Sequence, residues 1–339
     1  MTHLSKNQSF SRRTVLATTA CIGLTVVPSC APSGATMLRA ADNNAEGYPT
    51  VEGVRRFADL LAERSQGELA VKLYAGGQLG QEKDTLEITI FGGLDFNRIN
   101  LAPLNSVAKE TLVPTLPFMF RSIEHMRTAM DGAPGQTILD ALIPHGLVGL
   151  CFYDSGARSF YTTEKLIERP EDLRGLKIRV QNSDLYVSMV EVLGGDATPM
   201  PFGEVYQGLL QGVVDGAENN WPSYENTRHF EAAKYYSLTR HVLAPEVLVM
   251  SLKSWNKLTA SQQELVRDCA RESVPHMRSL WDARVEASKK VVLEAGVTVA
   301  SPDTRAFQDK VKPVWEKYLT TDALRDLAND IQAVEVSGE

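Results

Sequence analysis

Arg179 closes a short apolar run, Leu176-Lys-Ile-Arg-Val180. Its guanidinium is a rigid fork of donors that matches a carboxylate bidentately. Asn182 and Ser183 follow at the start of the next predicted helix, where unpaired backbone N–H groups also favour an anion. Arg158 lies in Ser155-Gly-Ala-Arg-Ser-Phe160, just after another apolar run, and the glycine permits a tight crossover turn. Two arginines at two strand ends can converge on one anion. Each also has a plainer reading: Arg179 as a solvated strand-end residue, Arg158 as an ion pair between lobes. Asn219 and Asn220 follow Asp215-Gly-Ala-Glu218. An asparagine offers both a donor and an acceptor, although asparagine and glycine also make turns. Trp221, beside Tyr206 and Tyr224, fits either the apolar face of a sugar ring or a core.

Catalytic templates are missing. The chain has no Walker A loop, no dinucleotide-binding glycine fingerprint and no Gly-x-Ser-x-Gly elbow. His125, His145, His229, His241 and His276 do not pair at metal-ligand spacing. Glu204 and Glu218 are the carboxylates a glycosidase reading would use, but strand-end and cap roles account for them. We expect no enzyme activity, no cofactor and no metal.

Strands and helices must position these residues. A strand at 37–41 leads into the polar Asp42-Asn-Asn44. Val54, Phe57, Ala58 and Leu61 recur at helical spacing and Gly67 ends the helix. Leu69, Val71 and Leu73 alternate as a strand, and a helix containing Leu86 and Ile90 precedes a strand at 94–100. A buried strand follows at 147–153. From about Ser155 the alternation repeats: strands at 176–180, 197–200 and 213–217, with helices at 185–193 and 204–211. Such alternation predicts βαβ units and a largely parallel sheet. A strand at 247–252 returns to the first half. Thr259 and Gln262 form a capping-box pattern that opens a long helix to about Ala295, with a kink expected at Pro275. Helices around Phe307–Trp315 and 324–331 complete the chain.

The 339 residues, 43% hydrophobic and 23% charged, are globular in composition and suit two lobes better than one core. The net charge is −7, and the first 35 residues hold Lys6, Arg12 and Arg13 but no acid. The remainder, with no basic run, does not fit nucleic acid. Ser11-Arg-Arg-Thr-Val-Leu16, the apolar 15–27 stretch and Ser33-Gly-Ala35 read as a twin-arginine export signal with a cleavage site. Lipidation of Cys30 is the rival reading, weakened by the proline in Val27-Pro-Ser-Cys30. Cys151 and Cys269 remain, too few for a disulfide framework.

Five segments occur in an order that resembles the extracytoplasmic solute-binding proteins of TRAP (tripartite ATP-independent periplasmic) transporters. They are Gly77-Gln-Leu-Gly80, Leu116-Pro-Phe-Met-Phe120, Asp172-Leu-Arg-Gly-Leu-Lys-Ile-Arg-Val180, Pro201-Phe-Gly-Glu-Val-Tyr206 and Gly212-Val-Val-Asp-Gly-Ala-Glu-Asn219. The resemblance implies an α/β, two-lobe periplasmic binding protein fold, with a ligand cleft between lobes, a long spanning helix and a C-terminal helical tail. The expected division is an export signal at 1–35, a first lobe at 36–154 plus 244–300, a second at 155–243 and the tail at 301–339. It implies that Arg179 pairs with the ligand carboxylate, with Arg158 and Asn219 as further contacts. The segments 153–161 and 216–224 resemble the hexuronate-binding branch. Asn43, Asn44, Asn100, Gln181 and Asn219 would then serve hydroxyls, and Trp221 the ring. The expected partners are a sugar acid and the TRAP membrane permease subunits, with the protein a periplasmic monomer. A C4-dicarboxylate ligand and a secreted carbohydrate-acting enzyme are the alternatives.

Overall fold

The computed structural model describes residues 34–336. The export-signal residues Arg12, Arg13 and Cys30 lie outside them. Its strands are β1 (Thr36–Ala41), β2 (Leu69–Tyr74), β3 (Phe96–Asn100), β4 (Leu147–Thr162), β5 (Lys177–Val180), β6 (Asp196–Pro199), β7 (Gly216–Asn219), β8 (Tyr235–Ser251) and β9 (Thr298–Ala300). They form one sheet in the order β2-β1-β3-β8-β4-β7-β5-β6, with β9 paired to β8. The two βαβ groups are parallel as the alternation predicts: β1 with β2 and β3, β5 with β6 and β7. Between them the sheet is antiparallel, because β4 and β8 run against each other and against β7 and β3. The sheet is therefore mixed rather than largely parallel.

β4 and β8 are 16 and 17 residues long. At about 3.3 Å per residue each spans roughly 50 Å, so the pair runs through both lobes. One end of β8 lies beside β3 in the first lobe, and the far end of β4 lies beside β7 in the second. Their register shifts between Gly149 and Cys151, Asp154 and Ala157, and Arg158 and Phe160. Gly156 at φ +59° and Arg240 at φ +44° take the left-handed conformation there. The crossover turn expected at Gly156 is instead a bulge in a continuous strand.

The helices used below are α1 (Pro49–Arg64), α2 (Glu82–Ile90), α3 (Ile123–Asp131), α4 (Ala133–Ala141), α5 (Asp184–Leu193), α6 (Trp221–Asn226), α7 (Ala260–Glu294), α8 (Arg305–Lys310), α9 (Lys312–Tyr318) and α10 (Asp322–Gln332). Thr259 caps α7 through the predicted box, with Gln262 N–H donating to its hydroxyl at 3.2 Å. The early part of α7 buries Val266, Cys269 and Met277 with Val54, Phe57 and Leu61 of α1. Its far end places Val292 among Tyr161, Tyr224 and Tyr236 of the second lobe. Pro275 lies within this helix without ending it. In the tail, Phe307, Val314, Leu324 and Ile331 share one apolar cluster with Met126 and Ile138 of α3 and α4 and with Leu185 and Met189 of α5. The tail thus braces both lobes. Cys151 and Cys269 are buried and unpaired. Among the described residues, no helix is long and apolar enough to cross a membrane.

Candidate ligand-binding site

Where the parallel strands of both lobes end, side chains from each surround a cavity of about 300 Å³ of unfilled space, part of it open to solvent. β3 contributes Arg98 and Asn100, β4 Arg158, β5 Arg179, β7 Asn219 and β8 Glu246, while Asn43 and Asn44 follow β1. The crevice beyond the carboxyl ends of parallel strands is where open α/β sheets bind ligands. The lips of the cleft touch. Tyr48 Oη lies 2.9 Å from Ser223 Oγ, Ser183 Oγ donates to Asn105 Oδ1 at 2.7 Å, and Gly203 N–H donates to Gln81 Oε1 at 3.1 Å.

Three buried arginines face this space, and their surroundings differ. Arg158 is answered by Glu218, which accepts from Nε at 2.5 Å and from Nη2 at 2.7 Å. Its Nη1 donates to Asn219 Oδ1 at 2.9 Å. Burial would raise the Glu218 carboxyl, but Arg158 and His241 outweigh it and hold it down to about 2. Arg98 is a hub for Asp42, Glu82 at 2.9 Å and Glu246 at 2.7 Å, and it also donates to Asn43 Oδ1. Burial pushes Glu246 up to about 7 against the pull of Arg98, with Glu82 and Asp42 adding to the rise.

Arg179 has no such partner. Nε and Nη2 donate to the Met200 carbonyl at 2.9 and 2.7 Å, and Nη1 is buried without a hydrogen bond. No carboxylate of the described residues forms an ion pair with it, and burial pulls its pKa down to about 10. Asn100 Nδ2 and Gln181 Oε1 are likewise buried and unpartnered. Asn219 spends Oδ1 on Arg158 and on Asn220 N–H, which leaves Nδ2 for the cavity. Native proteins leave few buried polar atoms unsatisfied. Here the unsatisfied set includes Nη1 of Arg179, an amide donor and an amide acceptor around one space, which suits an anion that also carries hydroxyls.

Of the residues singled out from sequence, Arg179, Arg158, Asn219, Asn43, Asn44, Asn100 and Gln181 all line the cavity. Trp221 does not. It opens α6, and its ring packs edge-on against Tyr236, centroids 4.3 Å apart. The aromatic at the cavity is Phe202, with the Arg179 guanidinium 5.9 Å from its ring centre. Ser183 spends its hydroxyl on Asn105, and only Asn182 of that pair borders the adjoining cavity beside Arg179. Glu204 is exposed, while Glu218 is fully buried against Arg158. They do not form a catalytic carboxylate pair.

Sequence reasoning missed Arg98, Glu82 and Glu246. The only sequence signal for Arg98 was a cation between Asn97 and Ile99 in a predicted strand with polar residues interleaved; the structure buries all five residues of β3. Glu246 carries the same signal in Ala244-Pro-Glu-Val-Leu248.

Residues 40–322 match the family model described as bacterial extracellular solute-binding protein, family 7. A TRAP periplasmic solute-binding protein from Bradyrhizobium sp. BTAi1, solved in complex with α/β-D-galacturonate, is 52% identical with a TM-score of 0.87. The match covers 88% of this chain and 100% of that one. The counterpart from Chromohalobacter salexigens, with bound D-glucuronate, is 41% identical with a TM-score of 0.85, over 87% of this chain and 99% of that one. A solute-binding protein of the same organism is 42% identical across 287 residues, 84% of this chain and 85% of its own length.

Proposed function

The chain belongs to family 7 of the bacterial extracellular solute-binding proteins, and from that premise we propose that it captures a hexuronate, D-glucuronate or D-galacturonate, for a TRAP membrane permease. The observation that carries this reading is Arg179: a buried guanidinium fork with no carboxylate partner, in a cavity ringed by amides. The ligand carboxylate takes the fork, and its hydroxyls take Asn43, Asn44, Asn100, Gln181 and the Asn219 amide. Arg158, neutralised by Glu218, holds Asn219 in place and offers its remaining Nη1 hydrogen. The similar proteins solved with galacturonate and glucuronate support the same ligand class.

The cycle makes and breaks no covalent bond. The ligand bridges the lobes and favours the closed cleft by its greater affinity for it. The register shifts of β4 on β8 near Asp154 and Ala157 support lobes divided near 154/155 and 243/244, while the end of α7 and β9, which pairs with Tyr235–Ser237, join the second lobe rather than the first. Arg12, Arg13 and the following apolar stretch support export by a twin-arginine signal, after which the protein works as a periplasmic monomer.

Isothermal calorimetry of the exported chain tests the proposal against D-glucuronate, D-galacturonate and succinate. Binding of at least one uronate with no succinate binding is expected. Binding of succinate alone would replace the uronate by a C4-dicarboxylate.

A further inference from the structure

The two ends of the cavity carry opposite charge. Arg179 adds one uncompensated positive charge from β5, since Arg158 and Glu218 cancel. At the other end Arg98 on β3 meets Asp42, Glu82 and Glu246, three carboxylates for one guanidinium once Glu246 ionises above about pH 7. Three strands separate β3 from β5 in the sheet, so their backbones lie roughly 19 Å apart at about 4.8 Å per strand. The side chains reach inward from opposite sides.

These carboxylates differ in how much of their acceptor capacity the protein uses. Asp42 is consumed by Arg98, Asn44 N–H and Thr50 Oγ1. Glu82 Oε1 accepts from Arg98 at 2.9 Å and from Asn100 N–H at 3.0 Å, and Oε2 accepts from no described residue. Glu246 takes Arg98 on Oε2, has the Ser155 side chain as a further hydrogen-bond partner, and also lines the cavity. An ionised carboxylate only accepts hydrogen bonds. A ligand hydroxyl satisfies it, whereas a ligand carboxylate brings no donor and a like charge into a buried site, where charges interact strongly.

We propose that Glu82 and Glu246, held by Arg98, form a selectivity end that accepts hydroxyls and rejects a second ligand carboxylate. The cavity then takes a six-carbon acid in one orientation, carboxylate on Arg179 and hydroxyls on Glu82 and Glu246. It refuses the diacid of the same skeleton. This inference rests on the reading of Arg179 as the carboxylate clamp.

The test separates charge from ring closure by comparing two open-chain acids, D-galactonate and galactarate, which differ only in a terminal hydroxymethyl or carboxylate. D-galacturonate and D-glucuronate are titrated in parallel, all by calorimetry at pH 8. The exported chain is expected to bind galactonate at least tenfold more tightly than galactarate, and Glu82→Gln to shrink that ratio at least fivefold. Galactarate binding as tightly as galactonate overturns the proposal while uronate binding leaves the proposed function standing. An unchanged ratio in Glu82→Gln removes Glu82 from the selectivity end, an unchanged ratio in Glu246→Gln removes Glu246, and an unchanged ratio in both overturns the proposal. Absence of uronate binding overturns the proposed function and this inference with it.

Discussion

A methionine at position 179 would occupy much the same space as arginine while removing a buried charge that no carboxylate of the described residues answers. Such a charge is costly to the unliganded fold and repaid by an anion. Arg179→Met is therefore expected to weaken uronate binding at least 100-fold in calorimetry, while the melting temperature of the unliganded protein holds or rises. A fall in that temperature would mean Arg179 is structural. Glu246 gives a second expectation, through pH. Its pKa is raised to about 7 in the fold from an ordinary value of 4.5. The folded state thus binds more protons than the unfolded one between those values, and stability falls as pH rises through that window. Glu246→Gln cannot ionise, so its urea midpoint relative to the parent chain should improve from pH 5 to pH 8; a constant difference would refute the raised value. Arg179 was legible because an arginine closing an apolar run invites an anion. Arg98 and Glu246 were not, because polar residues interleaved in a strand read as a solvent face. Only the structure, in which all five residues of β3 are buried, shows both faces of that strand to be covered.

Most elements followed from periodicity, including α1, α2 and the capped start of α7. The halves of β4 and β8 beyond 153 and before 247 did not. Those segments hold Asp154, Ser155, Arg158, Ser159, Arg240, His241 and Glu246, which break the apolar pattern of a strand. They break it because they build or border the site and the crossing between lobes. Sequence rules fail where function takes precedence over local consistency. Gly156 sits in this crossing at φ +59°, and a Cβ there would lie 2.9 Å from Trp281 Cζ2 on α7. Both the left-handed backbone and the close approach require glycine. Gly156→Ala is expected to cost about 1–3 kcal/mol, read from urea unfolding. An unchanged midpoint would mean the bulge can relax away from α7.

In the closed molecule the lips are held by few contacts, and Tyr48 with Ser223 is one of them. A hydrogen bond of this kind contributes about 0.5–1.5 kcal/mol. Ser223→Ala is expected to lower uronate affinity about two- to tenfold, chiefly by faster release in stopped-flow measurements, since interface changes act mostly on the off-rate. Ser223 also lines the cavity, so Tyr48→Phe, which removes the same bond from outside the lining, should match it. A divergence between the two would assign Ser223 to the ligand rather than to the lips. The overall architecture was legible from the order of its motifs, but the threading of the long strands was not. That threading bears on how the chain is made. β3 closes the first lobe only by pairing with the last residues of β8, Phe96 opposite Met250. About three quarters of the polypeptide must therefore leave the ribosome before the sheet begun at Thr36 can be completed. Pairings so distant in sequence make folding slow. Through that interval the apolar faces of β1, β2 and α1 wait without their central neighbour, and the newborn chain passes through a long stage in which it depends on being kept from aggregating.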